Sequence, residues 1–170
     1  MHNTFLIADP HFGHIGVVRF LREDGSKLRP WDTADEMDEV LVNNWNKTVR
    51  DQDKVYVLGD VVMNRRHLNT LGRLQGKKVL IKGNHDIFHL EEYTKFFYDI
   101  RACHVLDNLL LTHIPVHPDS KGRFRGNVHG HLHSNRVRLP TGEIDPWYYC
   151  VSVENINYTP MSFEEVRKAL

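Results

Sequence analysis

Val55-Tyr56-Val57-Leu58-Gly59-Asp60 is an apolar run of strand length that ends on a glycine and a carboxylate. Four consecutive apolar residues closed by a turn residue suit a strand buried on both faces. The same arrangement recurs along the chain. Thr4 to Ala8 runs into Asp9-Pro10-His11, and Val79-Leu80-Ile81 leads to Gly83-Asn84-His85-Asp86. Leu109-Leu110-Leu111-Thr112 runs into His113, and residues 127–129 run into Gly130-His131-Leu132-His133. In open α/β sheets ligands bind at the carboxyl edge of the strands. Five clusters far apart in sequence therefore read as one site.

The intervening segments set the fold class. Thr33 and Glu36 have capping-box spacing, and Met37, Val40, Leu41, Trp45 and Val49 follow at helical intervals. Further helices are expected at Gly16–Glu23, Arg65–Leu74, around Leu90–Phe97, and at Ser162–Leu170, where Ser162 and Glu165 repeat the box. From Ile100 the pattern turns to strands: 100–106, 109–112, 127–129, 136–139 and 148–153. Strand–helix alternation followed by consecutive strands predicts an α/β protein with two packed sheets flanked by helices. With 170 residues, no repeat and no linker-like tract, a single domain over 1–170 is expected.

Composition narrows the function classes. Lys+Arg and Asp+Glu are 22 each, so no global field favours nucleic acid or a membrane surface. No apolar run approaches the roughly 20 residues that span a bilayer. The first residues meet a charge at Asp9, too early for a secretory leader, so a cytoplasmic protein is expected. Cys103 and Cys150 lack CxxC spacing and read as buried apolar residues or free thiols. Trp31 and Trp147 hint at a surface patch, and the oligomeric state is left open.

Twelve histidines are unusual for this length, and many fall in the five clusters. Asp9 and His11, like His131 and His133, are spaced i, i+2, which on extended chain sends both side chains to one side. Asp60 reads either as a turn residue capping the next helix or as a carboxylate shared by two cations. Asn84 offers a neutral carbonyl oxygen after Gly83, which permits a tight turn. His113 alone reads as a satisfied core or edge histidine. Taken together, the inventory is carboxylate, imidazole and amide oxygen without thiolate, which favours catalytic Mn, Fe, Zn, Co or Ni over structural zinc. Seven donors exceed one ion and suit two sharing a bridge, roughly 3.5–4 Å apart.

The order D-x-H, G-D, G-N-H-[DE], H, G-H-x-H resembles the calcineurin-like metallophosphoesterases and covers the chain from Asp9 to His133. Asp9-Pro10-His11-Phe12-Gly13-His14 and the tail from Val151-Ser152-Val153 to Tyr158-Thr159-Pro160 look like the small bacterial and phage members. The resemblance implies a four-layer α/β/β/α sandwich of two mixed β-sheets. It implies that Asp9, His11, Asp60 and His133 bind one divalent ion, and Asp60, Asn84, His113 and His131 a second, Mn²⁺ first among candidates. It further implies hydrolysis of a phosphate ester by a metal-bridging hydroxide. His85 would serve as proton donor to the leaving oxygen, and Asp86 would hold its ring.

Around these, His14, His117 and Arg125 are expected to touch substrate, with Lys121 and Arg123 in the same basic loop. Arg65 and Arg66 can point inward or outward, and His129 is expected to support a ligand by a hydrogen bond. His2, His67, His89 and His104 carry no signal. After Gly59-Asp60 the sequence is Val61-Val62-Met63-Asn64, without the Asp-Arg-Gly of protein serine/threonine phosphatases. The short chain leaves little room for a cap domain. The expected substrate is a small phosphodiester or phosphomonoester, nucleotide-like, at an open site. The alternatives are a nuclease acting on RNA or DNA, against which the zero net charge speaks, and a catalytically silent scaffold of the same fold.

Overall fold

A computed structural model describes residues 2–170. Strands β1 (Thr4–Ile7), β2 (Lys54–Val57), β3 (Lys77–Ile81) and β4 (Asp99–Arg101) are mutually parallel. With β9 (Met161–Ser162), antiparallel to β1, they form a sheet of order β4-β3-β2-β1-β9. A second sheet, β5-β6-β7-β8, contains β5 (His104–Leu106), β6 (Leu109–Leu111), β7 (Gly126–His129) and β8 (Tyr148–Cys150). In it β5 is antiparallel to β6, and β6, β7 and β8 are parallel. The fold is thus α/β, two mixed sheets flanked by helices in a sandwich, as the sequence predicts. Leu6, Val57, Leu80, Leu109 and Val128 from both sheets share one buried apolar cluster.

The long helix α1 (Ala34–Thr48) buries Met37, Leu41, Val42 and Trp45 along one face. Thr33 Oγ1 accepts from Glu36 N at 3.2 Å, the expected cap. The reciprocal bond slips by one residue, since Glu36 Oε2 meets the Asp32 amide at 3.5 Å. The helix expected at Arg65–Leu74 is a 3₁₀ helix over Arg65–Arg73, and α2 (Leu90–Tyr93) is a single turn. Helix α3 (Phe163–Ala169) closes the chain, and Glu165 Oε2 accepts from Ser162 N at 3.3 Å.

Other expectations are corrected. Gly16–Glu23 is not a helix but a run of turns leading into a hairpin pinned by a Leu21–Lys27 bridge. Only Val17 and Val18 are buried there, while Ile15, Phe20 and Leu21 face outward, so no helical face is covered. The 100–106 run splits at Ala102-Cys103, because β4 pairs with β3 and β5 pairs with β6 in the other sheet. Residues 136–139 make one isolated bridge, Arg138 to Ile144, rather than a strand. Cys103 is exposed and Cys150 buried, and both are free thiols. No helix among the described residues is long and apolar enough to cross a membrane.

Candidate metal centre

Parallel pairing aligns the carboxyl ends of β1, β2 and β3, and those of β6 and β7, so the residues that follow them converge. Asp9 follows β1, Asp60 follows β2, Asn84 follows β3, His113 follows β6, and His131 and His133 follow β7. An Ala8–Ser152 bridge joins the chain after β1 to the chain after β8. Two triads result: Asp9, His11 and His133, and Asp60, His113 and His131, each with its ligand atoms within 4.8 Å of one another.

Asp60 joins the triads. Its Oδ2 lies 3.8 Å from His11 Nε2 and 3.3 Å from His113 Nε2. Asn84 Oδ1 lies 2.9 Å from the same His113 nitrogen, which places Asn84 with the second triad. The His113–His131 ring centroids are 5.2 Å apart, as are those of His11 and His133.

The backbone at these positions is unusual. Asp9, His11, Asp60, His131 and His133 all have φ between 52° and 68°. Non-glycine residues rarely occupy the left-handed region, and each such residue costs on the order of 1 kcal/mol unless its surroundings enforce it. Among the described residues five of the nine such positions are candidate ligands, so strain is concentrated at the centre. Glycines make the crowding possible. A Cβ on Gly83 would lie 2.3 Å from Asp60 Oδ1, and one on Gly130 would lie 2.5 Å from Asp9 Oδ2.

Asp9, His113 and His133 are each held through the atom that points away from the centre. Asp9 Oδ2 accepts from Ser152 Oγ at 2.6 Å and His131 N at 2.9 Å. His113 Nδ1 donates to Leu58 O at 2.7 Å, which fixes the tautomer and leaves Nε2 facing inward. His133 Nδ1 lies 3.0 Å from Glu154 Oε1, the oxygen that also accepts from Arg29 Nε at 2.8 Å. Arg29 is fully buried and donates in addition to the carbonyls of Asp9 and Pro10. Sequence reading missed Arg29, Glu154 and Ser152. Ser152 and Glu154 follow β8, and no local pattern marks their roles.

The remaining atoms fit a cation. Asp9 Oδ1 and both ring nitrogens of His11 are buried without a hydrogen-bond partner. Such orphans are rare in proteins and call for an explanation such as an ion. Burial pulls His11 well below its ordinary pKa, so its imidazole is neutral, as ligation requires. Burial pushes the Asp9 carboxyl up to about 6. Burial alone would depress His113, but Asp60 and Asp9 outweigh it and push the imidazole up to about 9. The donor set of oxygen and imidazole nitrogen suits two divalent ions.

The outer residues divide. The His85 amide donates to Asp60 Oδ1 at 2.9 Å, and its exposed ring lies 6.1 Å from that of His11. The His14 ring is 5.5 Å from His11 and accepts from Gly16 N at 3.1 Å. Asp86 requires a correction: it does not hold the His85 ring. Its buried carboxylate accepts from the amides of Asp60, Val61 and Gly83 at 2.7–2.9 Å, fastening two ligand loops together.

Arg125 is corrected as well. It precedes β7, at the end of the strand away from His131, and donates to Arg167 O at 2.7 Å. Lys121 pairs with Asp145, and Arg123 lies over Phe124, so the basic loop is engaged away from the centre. His117 accepts from Asp119 N in an exposed 3₁₀ turn, and none of its described contacts reaches the ligands. Arg65 points outward to Glu92 and the Phe88 ring. His129 is buried and bonds Gly130 O at 2.7 Å, touching backbone and not a ligand side chain.

No family model matches the sequence. The chain is 32% identical over 178 residues to the uncharacterized protein MJ1445 of Methanocaldococcus jannaschii, spanning 100% of this chain and 92% of that protein. The structure of the protein of unknown function AQ665 from Aquifex aeolicus has the same fold, with a TM-score of 0.71 and 24% identity over the whole of both chains. A novel archaeal phosphodiesterase is a looser match, with a TM-score of 0.45 and 14% identity over 88% of this chain and 82% of that one.

Proposed function

The chain belongs to the family of the archaeal protein MJ1445, and for this member we propose a phosphoric ester hydrolase that works with two divalent metal ions. The observation that carries the reading is the placement of Asp60 Oδ2 within 4 Å of imidazoles from both triads. A carboxylate oxygen so placed would be available to two ions at once. Asp9, His11 and His133 would hold one ion, Asn84, His113 and His131 the other, and Asp60 would serve both. Mn²⁺ is expected first, with Fe, Ni, Zn and Co as competitors for the same donors.

Two ions so held supply positive charge for a phosphoryl group and acidify water. The protein's own part is positioning. Glu154, Ser152 and Leu58 O orient His133, Asp9 and His113, and Asp86 fixes the loops that present Asp60 and Asn84. His85, beside the centre with an exposed ring, is the group we assign to protonate the leaving oxygen. His14, on the same rim, is assigned to substrate contact. Intact donors in all five clusters favour an enzyme over a silent scaffold.

The test is to strip the protein of metal and titrate it with Mn²⁺, Fe²⁺, Ni²⁺, Zn²⁺ and Co²⁺. Binding is followed by calorimetry and hydrolysis on chromogenic phosphate esters. Two ions per chain with metal-dependent hydrolysis is the expected result. Two bound ions and no hydrolysis of any ester would return the chain to the scaffold reading.

A further inference from the structure

Asp60 follows β2, which lies between β1 and β3 in its sheet, and ligand residues around it line two separate clefts. On the β1 side is a cleft of about 590 Å³, lined by His131 and His133 and by Phe20, Leu21, Glu23 and Asp24 of the hairpin. On the β3 side is a shallower cleft of about 360 Å³, lined by Asn84, His113, Lys82 and Ile114. It continues past Lys82, Gly83 and Ala102 into a further 400 Å³ beside Leu90. The clefts share no lining residue but meet at the centre, because His131 in one and His113 in the other are 5.2 Å apart.

The clefts differ in charge. Among the described residues that line the β1-side cleft the one Lys or Arg is Arg22, and it folds back onto the carbonyls of Lys27 and Leu28 at 3.3 and 3.2 Å. Glu23 and Asp24 leave that cleft acidic, while Phe20 and Leu21, 50% and 65% exposed, give it an apolar wall. In the β3-side cleft Lys82 is exposed, and its ammonium has no ion pair or hydrogen bond among the described residues.

We infer that the substrate is an unsymmetrical phosphodiester, with an uncharged, apolar or ring-bearing arm in the hairpin cleft and an anionic arm reaching Lys82. A phosphoryl group at Asp60 has a cleft on each side, and a monoester, with a single arm, would fill only one. This rests on the phosphoester hydrolase reading and names its substrate class.

The experiment uses the Mn²⁺-loaded protein and three p-nitrophenyl esters: the monoester, the butyl diester and the 3-carboxypropyl diester. Both diesters should exceed the monoester in kcat/KM by at least about tenfold, because remote contacts lower the barrier. The carboxylated arm should exceed the butyl arm by about three- to fivefold at low salt, the scale of one exposed ion pair. Lys82→Ala should erase the ratio between the two diesters. A monoester preference would overturn the inference and leave the hydrolase reading standing. Equal rates for the two diesters, or a ratio that survives Lys82→Ala, would overturn the charge assignment. No hydrolysis of any of the three with two ions bound would overturn both readings.

Discussion

Glu154 Oε1 lies 3.0 Å from His133 Nδ1, and the carboxylate is completely buried. Burial alone would raise its pKa, but Arg29 and His133 together hold the Glu154 carboxyl down at about 2. The ionised carboxylate keeps the proton on His133 Nδ1 and turns Nε2 toward Asp9 and His11. Partners of this kind typically contribute 10–100-fold to metal affinity. Glu154→Gln, which retains shape and loses charge, should weaken one of two bound ions by about that factor and the other much less. Calorimetric titration of the metal-free variant reads this as a change in one step of the isotherm. Two unchanged steps would remove Glu154 from the centre.

Arg29 makes a different prediction, because its role precedes metal. Arg29→Met leaves the Glu154 carboxylate buried with His133 as its only charged partner, a loss typically on the order of 3–5 kcal/mol. Urea unfolding of chelator-treated protein measures it. The double variant Arg29→Met/Glu154→Gln should recover part of the loss, since the uncompensated charge is gone. A single-variant cost below about 1 kcal/mol would show that the pair is dispensable to the fold.

These two residues also mark where sequence reading stops. The strands before Asp9, Asp60, Asn84 and His113 are legible because each is a local apolar run, while the Gly126–His129 strand before His131 reads only as part of a β-rich stretch, and parallel pairing brings their ends together. Arg29 and Glu154 are 125 residues apart, and nothing in the local pattern of either announces the pair. Asp86 was legible as a member of the centre but not in its role, because its partners are backbone amides that any residue would offer. Arg125 was misplaced for a simple reason. It is close in sequence to a ligand segment, but a strand of four residues carries it to the opposite end of the sheet. The split at Ala102-Cys103 was invisible because one continuous β-rich run feeds two sheets.

Gly59 has φ +83°, and a Cβ there would sit 2.5 Å from His113 Nδ1 and 2.7 Å from Gly83 Cα. The conflict involves backbone on one side and a hydrogen-bonded ring on the other, so neither can move freely. Gly59→Ala should destabilise the protein by about 1–3 kcal/mol. It should also cost the ion at His113 more than the ion at His11, because His113 must shift. Thermal melts with and without Mn²⁺ check this. The metal-dependent gain in Tm should shrink in the variant.

His85 tests the assignment of the proton donor. Its amide bonds Asp60, but its ring is exposed and makes no described hydrogen bond, so truncation should leave both triads standing. His85→Ala should bind two ions normally and lower kcat by about 10²–10⁴, the range for loss of a general acid. The loss should diminish on esters with very acidic leaving groups, which need no proton. Equal losses across leaving groups would make His85 a binding residue.

His129 gives the pH prediction. Burial is the main cause that brings its imidazole down from 6.5 to about 4, with Arg136 and two neighbouring histidines adding to it. The folded protein therefore keeps His129 neutral at pH values where the unfolded chain, near 6.5, takes up a proton. Between about pH 6.5 and 4 the unfolded state binds more protons, so stability falls as pH falls, and above 6.5 this contribution is fully retained. The gap between 6.5 and about 4 corresponds to roughly 3 kcal/mol over that window. Asp9, raised to about 6, acts in the opposite direction, because the folded state holds its proton more tightly than the unfolded chain. The bare pH profile therefore mixes the two, and comparison with His129→Gln separates them. Urea midpoints of chelator-treated protein at pH 7, 5.5 and 4.5 should fall faster with acid in the parent than in the variant, converging toward pH 4.5. Parallel curves would mean that His129 is protonated or hydrated inside the fold.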